Sequence, residues 1–371
     1  MNKLIFYTRS GRVSPSSNFR AIQYVDNIDN ASFFPLSSEY LYKKHGNSTG
    51  GINKIFWYGL YYAEIQLRIF IYLLFNLCSM PQSIVIQRAL SPKMVIAINR
   101  LLMKAVYSKC PNLIWDFDDD IFASGELTSF EKKLLVEYAD LITVTNKRLL
   151  SLLPNEIHDK VKFLPTTDGC FNSYNSLELI EQRRISYQNE INLLWLATSP
   201  SMPNLDLVAN YLDRAAKILR QRYNKKLILY IVCNKSYRTD FAYLTVKNVL
   251  WSKETSVEYT KKAHIGIMPL YDTEFNKKKG GFKLIQYMAA AMPTIGSAVG
   301  YNKEIIEDGI DGYLVDESID ENKWTEYIVS LGKDWTQYYQ MSVLARKKWD
   351  KDFSFEKNLK FWERIVTKLE I

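Results

Sequence analysis

The feature that most constrains this chain is its run of short segments rich in Ile, Leu and Val without strict alternation, separated by stretches of helical spacing. Strands of that kind are buried on both faces, as happens when helices cover both sides of a parallel sheet. Residues 4–9, 83–88, 112–118, 141–146 and 162–166 make one series. Residues 191–197, 226–233, 248–252, 264–270, 294–299 and 312–315 make a second. Each series predicts an open, doubly wound α/β domain, and 371 residues suffice for two. The polar stretch 173–190 separates them, so domains of 1–185 and 186–350 are expected, followed by a helical tail over 351–371. In that tail Phe355, Leu359, Trp362 and Ile365 recur every three or four residues, the apolar face of a helix over 355–369. Two such domains in tandem imply a ligand cleft at the strand C-termini.

Composition narrows the function classes. Hydrophobic residues are 47% and charged residues 24% of the chain, which excludes disorder and Cys-rich secreted scaffolds. The net charge of +8 divides into +4 before residue 185 and +4 after it. A nucleic-acid binder concentrates its excess on one face, so no nucleic-acid partner is expected. An anionic small ligand, an anionic membrane surface or simple solubility all fit that balance. Cys78, Cys110, Cys170 and Cys233 are dispersed, as are His45, His158 and His264, so neither a zinc site nor a disulfide framework follows. The N-terminal run turns polar too early for a signal peptide, and a cytoplasmic protein is expected.

The longest apolar stretch, 55–78, is interrupted by Glu64, Gln66 and Arg68, so a spanning helix is not expected. It reads either as a buried helix or as an interfacial helix at the inner face of a membrane, with Trp57 at headgroup level and Lys43, Lys44 and Lys54 upstream.

The most informative segment is 277–315. Gly280-Gly281 precedes a helical pattern with the apolar face Phe282, Ile285, Met288 and Met292, and Pro293 stops it. Glycines let a ligand approach the backbone, and the amides of a helix start attract phosphate. Lys279, Lys283 and Gln286 share a face if the helix extends back to Lys279. Together they suit a diphosphate, with Gln286 on ribose or sugar hydroxyls. The run Lys277–Lys279 reads otherwise as a solvated loop.

This segment resembles the donor-site signature of GT-B glycosyltransferases, specifically retaining family 4. A bacterial surface-polysaccharide subgroup is matched at Lys279, Gly281 through Ala289, Pro293, Ser297, Val299, Gly300, Asn302, Glu304 and Ile305. Residues 14–24, 115–120, 163–168 and 195–201 resemble further segments of that subgroup in order. The chain departs from the family by Lys278 and Gln286 at the two glutamate positions, and by Asn204 where a basic residue often holds the donor phosphates. His264 and Ala291 stand where Asp and Gly are usual.

The resemblance implies a retaining transfer from a nucleotide-diphosphate sugar, with no obligatory metal and no other cofactor. The acceptor would be a glycan, often lipid-linked, and the tail would pack back on the first domain. Lys279, Lys283, Gly280, Gly281 and Phe282 would surround the diphosphate. Ser199, Ser201, Asn204, Cys233 and Asn234 would complete the donor site, although ordinary turn chemistry also accounts for the serines. Ser16, Ser17 and Arg20 would face the acceptor.

Asp116, Asp118, Asp119 and Asp120 admit several readings. Asp118 or Asp119 would orient or deprotonate an acceptor hydroxyl. Asp116 and Asp118 also fit the metal-binding pair of a Mg-dependent phosphatase. Capping and solvation at a strand end is the plain alternative. A non-catalytic sugar-nucleotide or polysaccharide-binding protein also stays open.

Overall fold

The structure, a computed structural model, describes residues 3–48 and 50–367. It divides into two compact units, Met1–Thr166 with Glu356–Ile371, and Thr167–Phe355.

The first unit holds β1 (Leu4–Thr8), β2 (Ala31–Pro35), β3 (Ser83–Gln87), β4 (Leu113–Phe117), β5 (Leu141–Val144) and β6 (Val161–Phe163). They form one sheet in the order β2-β1-β3-β4-β5-β6, with every pair parallel. β1, β3, β4 and β5 are buried at every position, which explains their unbroken apolar character. β2 has no counterpart among the sequence expectations. Its five residues are half-buried and end in Pro35, which an edge strand tolerates because its outer side needs no donor.

The second unit holds β7 (Glu190–Leu196), β8 (Lys226–Cys233), β9 (Thr245–Leu250), β10 (Ile265–Met268), β11 (Thr294–Ser297) and β12 (Gly312–Val315). Its sheet runs β12-β11-β10-β7-β8-β9, again all parallel. β9 begins three residues earlier than expected, and its exposed, half-apolar pattern marks it as the other edge.

Two boundaries differ from the sequence reading. The first unit ends at Thr166 rather than 185, because the polar stretch folds as helix Ser176–Tyr187 within the second unit. Asn175 caps that helix, and Leu179, Ile180, Arg183 and Tyr187 are its buried face, so its polarity reflects one solvated side. At the other end, helix Phe355–Thr367 joins the first unit from Glu356 onward; residue 369, its expected end, lies outside the described residues. Trp362 is fully buried and meets Phe6 edge-on at 4.9 Å between centroids, while Asn358 Nδ2 donates to Pro165 O at 2.7 Å.

Helix Gly51–Cys78 buries Tyr61, Ile65, Ile69 and Leu73 against the first sheet and leaves an apolar face outside. Among the described residues no helix is long and apolar enough to cross a membrane.

Candidate functional site

In a doubly wound sheet, ligands bind where consecutive strands depart to opposite sides, because the loops there part and leave a crevice. In the second unit β7 leads to β8 on one side while β10 lies on the other, so the crevice opens beyond the C-termini of β7 and β10. The register shows it directly: β7 and β10 pair at Leu193 and Leu194 and then separate. The amide of Leu196, past the last pair, donates instead to Tyr287 Oη at 2.9 Å. The Tyr287 ring packs against β10 at Gly266, where a Cβ would come within 2.2 Å of it. This contact seats helix Phe282–Ala289 on the sheet at the mouth of the crevice.

The helix begins at Phe282 rather than at Lys279. Gly281 adopts φ +63°, a left-handed conformation that ends any regular helix behind it, and a Cβ there would meet Ile305 Cδ1 at 2.1 Å. Lys279, Lys283 and Gln286 therefore do not share one helical face, contrary to the sequence reading. Lys279 precedes the turn, 5.4 Å from the Phe275 ring, and Lys283 sits in the first helical turn; both are half-buried. Gly281, which has no side chain to offer, is the N-cap residue of this helix. Gly300, at φ +55°, brings its backbone so close to Lys277 that a Cβ would lie 2.2 Å from Lys277 O, which fixes the path of the lysine run. Lys277 itself pairs with Asp272 at 3.1 Å and Glu274 at 3.0 Å, a solvated cluster.

Two expected ligand groups turn inward. Gln286 is only 3% exposed and donates its amide to Asp168 Oδ2 at 2.7 Å, while Asp168 Oδ1 accepts from the amide of Cys170 at 2.9 Å. Asn204 donates to Ser201 O at 3.2 Å and accepts from the amide of Tyr271 at 3.1 Å. It thus ties the loop after β7 to the loop after β10, across the crevice. Both residues position the site. Asn234 Oδ1 accepts from the amide of Ser199 at 2.9 Å and faces the Cys233 thiol at 3.5 Å, joining the end of β8 to the same loop. Ser199 and Ser201 are half-buried there and Asn234 is exposed, whereas Cys233 is interior.

Sequence reasoning missed the groups that hold this helix from behind. Arg183 is 2% exposed and has four carbonyl partners: Ala290 O and Ala291 O at 2.8 Å, Lys261 O at 2.9 Å and Thr260 O at 3.1 Å. These lie at the C-termini of two helices, where a buried cation offsets the negative end of each dipole. Arg346 adds a bond to Ala289 O at 2.7 Å. Ser297, ending β11, accepts from the amide of Leu270 at 2.8 Å and donates to Glu317, whose half-buried carboxyl is pushed up by burial. Nothing in the spacing of these residues marks them, since their partners are mostly backbone carbonyls.

The first unit repeats the logic, with its crevice beyond β1 and β3. Ser16, Gln87, Arg88 and Asp118 gather there. Gln87 Nε2 donates to Ser16 O at 2.7 Å, and Ser16 Oγ donates to Asp118 Oδ2 at 3.2 Å. Arg88 anchors the acidic run, reaching Asp118 at 2.7 Å, Asp119 at 2.9 Å and Glu126 at 3.1 Å. Arg88 adopts φ +62°, an uncommon conformation for a non-glycine residue, and its carbonyl accepts from Trp115 Nε1 at 2.9 Å. Burial alone would raise the Asp118 carboxyl, but the guanidinium groups of Arg88 and Arg20 hold it below its ordinary value. Such a carboxylate orients a hydroxyl better than it deprotonates one.

Two acceptor candidates lie inside instead. Ser17 is fully buried, and Arg20 is 3% exposed. Arg20 pairs bidentately with Asp116, with Nε 2.8 Å from Oδ2, and donates further to Leu164 O at 2.9 Å and Thr166 Oγ1 at 3.0 Å. Thr143 Oγ1 also donates to Asp116 at 2.6 Å. Asp116 is thereby engaged in the interior, which removes the basis for a phosphatase built on it. Among the described residues no cluster of His, Cys, Asp and Glu has the arrangement of a metal site.

Residues 195–334 match the family described as Glycosyl transferases group 1, a span that begins at the end of β7 and includes the whole crevice of the second unit. Among solved structures the fold is similar to HepE from Anabaena, in a complex with UDP and glucose, at 10% identity and TM-score 0.66, covering 100% of both chains. It is similar to sucrose-phosphate synthase from Thermosynechococcus elongatus at 13% identity and TM-score 0.63, covering 98% of both. Likeness to S. aureus TarM, at 12% identity and TM-score 0.55, covers 81% of this chain and 58% of that one, so this chain spans under two thirds of that relative's length. The fold is accordingly GT-B, two parallel-sheet α/β units. No curated protein gives a significant match.

Proposed function

We propose that this chain is a glycosyltransferase that takes a sugar from a nucleotide-diphosphate donor bound by the second unit. One coincidence carries the reading: the glycosyltransferase family match falls on the unit whose switch-point crevice is flanked by Gly281, Lys279, Lys283 and the start of helix Phe282–Ala289. Departure of the sugar leaves a nucleoside diphosphate, and its growing negative charge needs fixed donors. Lys279, Lys283 and the Gly280-Gly281 backbone supply them, Ser199 and Ser201 add hydroxyls, and Asn234 beside Cys233 faces the base. Phe282 packs beside the diphosphate. Asn204 and Gln286 hold the loops in place.

The acceptor, a glycan that is lipid-linked at the inner face of the membrane in surface-polysaccharide assembly, is assigned to the first unit. Ser16 and Asp118 orient its hydroxyl, with Asp119 at the rim. The family 4 resemblance supports retention of configuration without a metal. UDP and glucose in the HepE complex make UDP-glucose the first donor to try.

The test is release of nucleoside diphosphate from a panel of sugar nucleotides with glycan acceptors. The reading expects turnover, reduced about a hundredfold in Lys283→Ala, the usual scale for losing one fixed donor to a developing charge. Binding without turnover would make this a sugar-nucleotide-binding protein. Mg-dependent phosphoester hydrolysis abolished by Asp116→Asn would restore the phosphatase.

A further inference from the structure

The outer face of helix Gly51–Cys78 has no counterpart in the interior of the unit. Ile52, Phe56, Leu60, Leu67, Ile71 and Leu74 recur at three-, four- and seven-residue intervals on the side opposite the buried face, each between 39% and 86% exposed. They form an apolar stripe about 33 Å long. The adjoining helix Ala97–Lys109 extends it with Ile98 and Leu101, at 45% and 67% exposed. Asn99 Nδ2 donates to Gln66 O at 2.9 Å and locks the two helices together. Scattered exposed apolar residues are ordinary, but a contiguous stripe of this extent marks a contact surface.

Charge decides what covers it. Residues 39–109 contain nine Lys and Arg against two acids, Glu39 and Glu64, and so hold seven of the chain's eight net positive charges. The even division between halves conceals this concentration. Three of these cations lie toward the N-terminal end of the helix, on the flank away from the stripe, and lean on aromatic residues there. Lys44 lies 5.3 Å from the Trp57 ring, Lys54 lies 5.4 Å from Tyr58, and Lys93 lies 5.7 Å from Tyr58 and 5.9 Å from Tyr62. Between them Ile55, Tyr58, Tyr62 and Met94 line an apolar groove of about 600 Å³. A symmetric contact with a second copy would press two such basic patches together, which repulsion opposes.

We propose that this face docks on an anionic lipid bilayer, with Ile52, Ile55 and Phe56 entering the acyl boundary and Lys44, Lys54 and Lys93 at the phosphate level. Apolar area, interfacial aromatics and a basic flank are the combination that holds a helix in that plane. The proposal is independent of the transferase reading: Arg88, counted in that charge, pairs with Asp118, Asp119 and Glu126 in the first crevice and is no part of this face.

The test is co-sedimentation of the full chain with phosphatidylcholine vesicles, with and without 30 mol% phosphatidylglycerol. Binding is expected only with the anionic lipid and weakens in high salt. The double variant Ile55→Glu/Phe56→Glu, at positions already 74% and 55% exposed, is expected to fold normally and to lose binding by roughly a hundredfold. Lys54→Glu/Lys93→Glu is expected to lose more than tenfold. Unfolding midpoints of both variants, unchanged from the parent, keep the comparison valid; should the double apolar variant unfold, Phe56→Ser and the charge variant carry the test. Failure of the parent chain to bind anionic vesicles, or equal binding by the variants, overturns the proposal. A concentration-dependent dimer abolished by the same apolar variant assigns the face to a second copy and overturns it equally.

Discussion

Gln286 donates its side-chain amide to Asp168 Oδ2 at 2.7 Å inside the second unit, from a position where the resembled family commonly has a glutamate. Removing the donor with Gln286→Ala leaves a buried carboxylate oxygen without it, which costs about 1–3 kcal/mol. Gln286→Glu instead sets two carboxyls against each other. It is expected to be the more destabilising at pH 7 and to recover as one carboxyl protonates on acidification. Urea unfolding at pH 7 and pH 5 checks both; equal effects of the two variants would count against this geometry.

The glycines around the lysine run differ in what they avoid. At Gly281 a Cβ meets the flexible tip of Ile305, whereas at Gly300 it meets the backbone of Lys277. Both have positive φ, so an alanine at either costs about 1–2 kcal/mol from conformation alone. The additional clash makes Gly300→Ala the worse, by about 1–3 kcal/mol more, because backbone cannot turn aside. Thermal unfolding of the two variants gives the ranking.

His264 is fully buried and burial holds it down to about 3, so it stays neutral in the fold. Its Nδ1 accepts from the amide of Asn192 at 2.8 Å, which leaves Nε2 to donate to Arg183 O at 3.1 Å. The unfolded chain takes up a proton near pH 6.5 and the folded one does not. Stability from this residue is therefore complete above pH 6.5 and declines as pH falls toward 3. Glu131 is pushed up to about 7 by burial and acts in the opposite sense, losing stability as pH rises from 4.5. The comparison with His264→Gln cancels that contribution. The stability advantage of the parent over His264→Gln is expected to shrink by about 2 kcal/mol between pH 7 and pH 5. A constant difference would contradict it.

Asp116 is expected to behave as a structural group. Truncating one partner of a buried ion pair costs about 3–5 kcal/mol, so Asp116→Ala lowers the unfolding midpoint strongly. Arg20→Ala should match it, and the double variant should be less destabilised than the sum of the two. Additive losses would mean that the pair is not coupled.

The sequence analysis anticipates eleven of the twelve strands among the described residues, most of which are buried on both faces and leave a dense apolar signature. It misses β2, a half-buried edge strand whose five residues lack that density. It reads Ser176–Tyr187 as a linker, since a helix with one solvated side and a buried Arg183 looks polar throughout. It singles out Gly280-Gly281 and the lysines, but direction is not legible: Gln286, Asn204 and Arg20 turn inward because partners distant in sequence claim them. Arg88 offered a signal, a cation ending the strand beside an aspartate-rich strand, whose charges need a counterion.

The most direct measurement is isothermal titration of the full chain with UDP, GDP and their mononucleotides, repeated with Lys279→Ala and Lys283→Ala. The account expects one nucleoside diphosphate to bind, its mononucleotide to bind more weakly, and each lysine variant to lose about tenfold in affinity, the scale of one exposed charge-assisted contact to phosphate. If no nucleoside diphosphate binds, or if both variants bind it as tightly as the parent chain, the crevice beyond β7 and β10 is not a diphosphate site and the account fails.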